Sequence, residues 1–205
     1  MRTLLLLIPA LALLAQTPVS KGKLPPAAKN FKEMGSPNAP ITLEVYADYQ
    51  CPMCRSFFLD VVPSIVADYV STGKVRLIHR DFPLPMHAFS KQATRYANAA
   101  GELGKYDVVA TQIFKTQSEW EQNGNIDAEV AKVVSPTDLQ KIREMVKSDS
   151  HLDDTVTSDV ALGNQDRLNQ TPTLVFVSHG KRTKIDGALP LPVLKSYLDQ
   201  LIAKG

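Results

Sequence analysis

The tightest constraint on this chain is a seven-residue stretch, Asp48-Tyr49-Gln50-Cys51-Pro52-Met53-Cys54, which holds its only two cysteines. Before it runs Ile41-Thr42-Leu43-Glu44-Val45-Tyr46-Ala47, β-branched and apolar enough to read as a buried strand. After it runs Arg55-Ser56-Phe57-Phe58-Leu59-Asp60-Val61-Val62, which reads as a helix. The pair therefore falls where a strand turns into a helix. A helix start carries unpaired N–H groups and the positive end of the helix dipole, so it favours an anion. At that cap, the Cys51 thiolate can accept from the N–H groups of Met53 and Cys54, while Pro52 suits the first helical position. Such settings lower a cysteine pKa to roughly 3.5–7.5. Cys54, one turn further in, is expected to be buried and less reactive. The spacing thus suggests an attacking Cys51 and a resolving Cys54 that close reversibly into a disulfide.

Two plainer readings compete. A structural disulfide across two residues would close a very small loop and remove little unfolded-state entropy. A zinc site would need two further ligands. The only histidines, His79, His87, His151 and His179, are scattered without paired metal-ligand spacing.

The chain begins with Arg2 and an apolar run from Leu4 to Ala15, interrupted by Pro9 and followed by polar Gln16 and Thr17. Residues 1–15 read as a secretory signal peptide; the run is shorter than the roughly 20 residues a spanning helix needs. The protein is therefore expected to be periplasmic or otherwise extracytoplasmic, and soluble after cleavage. In an oxidising compartment structural disulfides are common. A single, closely spaced pair there favours disulfide chemistry performed on other proteins.

Residues 16–34, rich in Pro, Lys and Ala, read as a flexible linker whose lysines, Lys32 included, are solvated. A net charge of +2 makes no case for nucleic acid. The first helix should kink or restart at Pro63 in its interior and stop at Gly73, and beyond it Val75–Phe82 reads as a second strand. Strand, helix and strand make a βαβ unit with parallel strands. Residues 84–168 lose the alternation and take up helical spacing over 87–104, 106–121, 126–134, 137–149 and 152–168. Ser135-Pro136-Thr137-Asp138 is a helix-start signal, and Trp120, Phe114 and Ile113 are the expected core of this segment. A hairpin of Thr173–Val177 and Thr183–Asp186 follows, then a final amphipathic helix from Pro192 to Ala203. Thr171-Pro172 stands just before the hairpin; spacing alone leaves a cis and a trans bond equally open.

In this order, Cys51-Pro52-Met53-Cys54 at a strand–helix junction, Arg80-Asp81-Phe82-Pro83-Leu84, a helical insert and Thr171-Pro172 resemble the thioredoxin superfamily. More closely, the chain is similar to exported bacterial DsbA-like thiol-disulfide oxidoreductases over about residues 35–205. The resemblance implies an α/β, thioredoxin-like fold with an inserted all-helical domain. Its first part would span 35–83, the insertion 84–168 and its second part 169–205. It also implies a catalytic Cys51, a resolving Cys54, a cis Pro172, and Pro52, Met53, Thr171 and Pro172 against the substrate. No cofactor is implied. The implied partners are reduced or unfolded exported proteins and a membrane-bound, quinone-linked thiol oxidase, with the protein itself a monomer.

Two departures from the family pattern stand out. Relatives often carry a buried acid six residues before the first cysteine; here that position is Val45. Its neighbour Glu44 would face the other way by strand alternation, so either the strand is bulged or the acid is absent. The strongest oxidants carry His between the cysteines, where this chain has Met53, which offers the thiolate no charge and no conventional donor. A milder oxidant is expected. The other readings are a reductase or isomerase of the same fold and, from a different class, a Cu(I) carrier holding metal on Cys51 and Cys54.

Overall fold

The structure, a computed structural model, describes residues 31–204. The expected signal peptide and the linker up to residue 30 lie outside the described residues.

The sheet is built around β2 (Ile41–Ala47), the central strand, buried on both faces with Glu44 as its one charged residue. On one side β2 pairs in parallel with β3 (Val75–Asp81), from Ile41 beside Val75 to Ala47 beside Asp81. On the other it pairs antiparallel with β4 (Thr173–Ser178), which turns back into β5 (Lys181–Asp186). A short β1 (Glu33–Met34) closes the far edge against β3, so the order is β1-β3-β2-β4-β5. β1 corrects the expected linker at its C-terminal end. Residues 33–34 are in the sheet, and Lys32 is buried rather than solvated. The Lys32 ammonium pairs with the buried carboxylates of Asp81 and Asp159. Burial opposes a charge on Lys32, but the two carboxylates outweigh it and raise its pKa.

The helix between β2 and β3, α1, spans residues 52–70. It is α-helical over Pro52–Ser56, widens to a π-helix over Phe57–Val61, narrows at Val62–Ile65 and widens again over Val66–Val70. Pro63 explains the first widening: it has no N–H to give, and its ring crowds the carbonyl one turn back. The helix thus absorbs the proline by a change of pitch instead of restarting.

Strand alternation then divides the core. Leu43, Val45, Leu77 and Phe176 face one way, into the cluster that holds Cys54, Phe57 and Ile65 of α1. The same cluster takes Leu194 and Leu198 of the last helix, α8 (Leu191–Ala203). Tyr46 and Val175 face the other way, onto Phe82, Leu168 and Val160.

Between β3 and β4 lie six helices: α2 (Ser90–Glu102), α3 (Tyr106–Lys115), α4 (Gln117–Trp120), α5 (Ile126–Val130), α6 (Pro136–Ser148) and α7 (His151–Gln165). They match the helical spacing read over 84–168. Ser135 caps α6 by accepting from the Asp138 N–H at 3.1 Å, with Pro136 in the first turn. Trp120, Phe114 and Ile113 are fully buried, and the Trp120 Nε1–H donates to the Ile113 carbonyl at 2.8 Å.

Candidate active site

β2 ends at Ala47, and the next four residues, Asp48 to Cys51, turn the chain into α1. The turn is shaped by Asp48. Its side chain is fully buried. Its Oδ1 accepts the Gln50 N–H at 2.7 Å, an Asx-turn, and its carbonyl accepts the Cys51 N–H at 3.1 Å. Cys51 caps α1 in extended conformation, with Pro52 as the first helical residue.

Both cysteines are free thiols with unlike surroundings. The Cys51 Sγ lies 3.3 Å from the Thr171 carbonyl, the residue before Pro172, and the Thr171–Pro172 bond is cis. This proline loop and the cysteine turn are thereby brought together from opposite ends of the chain. The Cys51 pKa is lowered to about 6, first by a hydrogen bond from the Cys54 thiol, against a desolvation cost. The Cys54 and Met53 N–H groups and the Thr171 hydroxyl help further. The Cys54 pKa goes well above its ordinary value, first because burial disfavours its charge, then because it is the donor to Cys51. Two groups act in the other direction on Cys54: the Asp48 N–H, 3.5 Å from its sulfur, and the Thr171 hydroxyl. That hydroxyl is buried and has no hydrogen-bond partner in the dithiol. A hydroxyl can donate to a thiolate beside it.

Around the pair the surface is apolar and open. Pro52 is exposed, Met53 is 56% exposed, and Met86 is 73% exposed at the tip of the turn Leu84–His87. Both ends of that turn are tied to Asp48, whose Oδ2 accepts the Leu84 N–H at 2.7 Å and faces His87 Nδ1 at 2.8 Å. Three further side chains tie the cysteine turn to the helical insert. Gln50 accepts from the Phe89 N–H at 2.5 Å and donates to the Glu121 carbonyl at 3.0 Å. Gln117 donates to the Tyr49 carbonyl at 2.6 Å, and Arg55 to the Phe114 carbonyl at 3.1 Å.

Glu44 is not part of this site. β2 pairs in register from Ile41 to Ala47 with no bulge, so Glu44 faces away from Val45 and the thiols. It is buried between Arg80 at 2.5 Å and Arg182 at 2.6 Å, in a network that extends to Asp159 and Asp166. Sequence reasoning missed the roles of Asp48, Gln50, Gln117 and His87. The first was detectable, because Asp commonly bonds its own backbone two residues on. The others depend on packing between distant segments. Among the described residues no group of three or more His, Cys, Asp or Glu side chains is placed to hold a metal.

The chain belongs to the thioredoxin family: residues 29–199 match the family model described as Thioredoxin. It is 25% identical over 159 residues to Disulfide bond formation protein D of Bacillus subtilis, covering 73% of this chain and 68% of that one. In fold it resembles alpha-DsbA1 of Wolbachia pipientis, with a TM-score of 0.72 at 24% identity over 84% of this chain and 91% of that one. It also resembles oxidised BdbD of Bacillus subtilis, with a TM-score of 0.71 at 21% identity over 88% and 96%. Within the family the chain is a DsbA-like thiol-disulfide oxidoreductase.

Proposed function

We propose that the protein works in the oxidising direction, forming disulfides in exported proteins. The observation that carries this reading is the inequality of the two thiols: Cys51 lowered to about 6, Cys54 raised well above its ordinary value. In the oxidative cycle a substrate thiolate attacks the Cys51 sulfur of the Cys51–Cys54 disulfide. A mixed disulfide forms at Cys51, and the electron pair of the broken bond leaves on Cys54, whose high pKa draws a proton to it. A second substrate thiolate then attacks the substrate sulfur and expels Cys51. A low pKa makes Cys51 a good leaving group. The substrate loses two electrons, and the Cys51–Cys54 pair gains them. Pro52, Met53, Thr171 and Pro172 are the proposed contacts for the substrate, with the Thr171 backbone pairing to it in strand fashion.

The cycle closes when a membrane-bound thiol oxidase returns the pair to the disulfide and passes the electrons to a quinone. The apolar run near the N-terminus supports an extracytoplasmic location, and among the described residues no helix is long and apolar enough to cross a membrane.

A Cys51 pKa of about 6 falls between the roughly 3.5 of a strong oxidant and the roughly 7 of thioredoxin. Met53 in place of a charged neighbour accounts for the milder setting. Glutathione titration of the pair tests the direction. A potential of about −120 to −180 mV supports disulfide donation; one near or below about −250 mV overturns it in favour of a reductase.

A further inference from the structure

We infer that His87 is a positioning residue that, through Asp48, holds a donor against the Cys54 sulfur as that sulfur leaves. The inference rests on the oxidative cycle proposed above. In its first step the Cys51–Cys54 bond breaks and Cys54 must carry negative charge in a buried place. Burial is the largest influence on its pKa and acts against the charge. The position six residues before Cys51 is Val45, and Glu44 faces away, so that strand brings no acid to this sulfur. What the sulfur does meet is the Asp48 N–H at 3.5 Å and the Thr171 hydroxyl, both of which favour the thiolate. Both donors favour charge on the leaving sulfur, and only the Asp48 N–H has its place fixed by the turn itself.

The Asp48 N–H can serve only if the residue is held still. Its carboxylate has no exposure and accepts from three directions: the Gln50 N–H, the Leu84 N–H and His87 Nδ1. Two of these are backbone donors fixed by the chain. The third is a side chain that a substitution can remove. Facing a carboxylate, which only accepts, Nδ1 carries the proton. His87 is itself fixed by the Leu84–His87 turn, since its own N–H donates to the Leu84 carbonyl at 3.0 Å. Cys51 owes its low pKa to other groups: the Cys54 thiol, the Cys54 and Met53 N–H groups and the Thr171 hydroxyl. Loss of His87 should therefore fall on the step in which Cys54 leaves more than on the step in which Cys51 leaves.

The two steps can be timed separately with reduced glutathione, acid quenching and mass analysis. Attack on the oxidised protein reports departure of Cys54. Attack on the glutathione mixed disulfide of a Cys54→Ala protein reports departure of Cys51. His87→Ala should slow the first about tenfold relative to the second, the size of one hydrogen bond to a charged group. His87→Gln, whose longer side chain displaces the donor, should show the same bias more weakly. His87→Asn, whose amide can stand where Nδ1 stood, should restore the ratio to within about threefold. An equal fall in both steps, or no fall in the first, overturns the inference. Failure of the unmodified protein to exchange with glutathione at all would instead overturn the oxidoreductase reading on which it rests.

Discussion

Replacing Thr171 by Val removes one oxygen from the site and keeps the shape of the side chain. The lost hydroxyl is the buried, unpartnered donor beside both sulfurs. A hydrogen bond to a charged group contributes about 1.5–3 kcal/mol. Because this hydroxyl is one of several groups acting on Cys51, the expected rise in the Cys51 pKa is about one unit, from about 6 to about 7. At pH 7, the thiolate stabilises the reduced protein by about 1.4 kcal/mol when the pKa is about 6 and the ordinary value is 9.0. At a pKa of about 7 that contribution falls to about 0.4 kcal/mol. The difference of about 1 kcal/mol makes the pair harder to reduce and moves its potential about 20 mV in the negative direction. Cys54 stays protonated at pH 7 in both proteins and adds nothing. Thiolate absorbance near 240 nm gives the pKa, and glutathione titration gives the potential. An unchanged Cys51 midpoint, or a potential that moves positive, would refute the role given to the hydroxyl.

Three other expectations follow from the same geometry. Cys51 ionises at a lower pH folded than unfolded, so its stabilisation of the reduced protein is complete above the unfolded pKa and is lost as pH falls through about 6. Denaturant titrations at pH 8 and 5.5 should therefore show the reduced form losing about 2.5 kcal/mol more than the oxidised form, which has no thiolate to lose. Lys32→Met leaves Asp81 and Asp159 without their shared ammonium inside the protein. Urea unfolding should register a loss of about 3–5 kcal/mol, and a loss below 1 would show that the site hydrates freely. Gly163→Ala would put a Cβ 2.7 Å from the Phe82 ring and 3.2 Å from the Tyr46 ring, so a loss of about 1–3 kcal/mol is expected in the same assay.

Much of this was legible in the sequence because it is local. β2 announced itself by its β-branched and apolar residues, the start of α6 by Ser135-Pro136, and the cysteine cap by Pro52. Strand alternation turned Glu44 away from the thiols but left a bulge open, and the in-register pairing of β2 removes that alternative. The errors lie where tertiary contacts decide. Lys32 sits in a Pro- and Lys-rich segment that reads as solvated, yet it is buried because two distant carboxylates, Asp81 and Asp159, wait for it. Pro63 reads as a kink or restart, but the packing of α1 against the sheet keeps the helix continuous and shifts the cost into its pitch. Asp48 and Gln50 stand in the stretch that holds the cysteines, but nothing near them in sequence announces that they join the cysteine turn to residues 84–89 and to Glu121.

Those cross-links bear on modularity. The cysteine turn is clamped by Gln50 and Arg55, which bond the main chain of the helical segment, and by Gln117, which reaches from that segment to the main chain of the turn. Three of these bonds, those of Gln50 and Arg55, end on the insert's main chain, so the insert can drift in sequence there and still grip the turn; the fourth needs the Gln117 side chain. It cannot be cut away. A minimal domain made by joining β3 directly to β4 would keep the dipeptide between its cysteines and lose the frame that aims them, and so would a graft of Cys51-Pro52-Met53-Cys54 onto another scaffold. The portable unit of this chemistry is the turn together with its clamp.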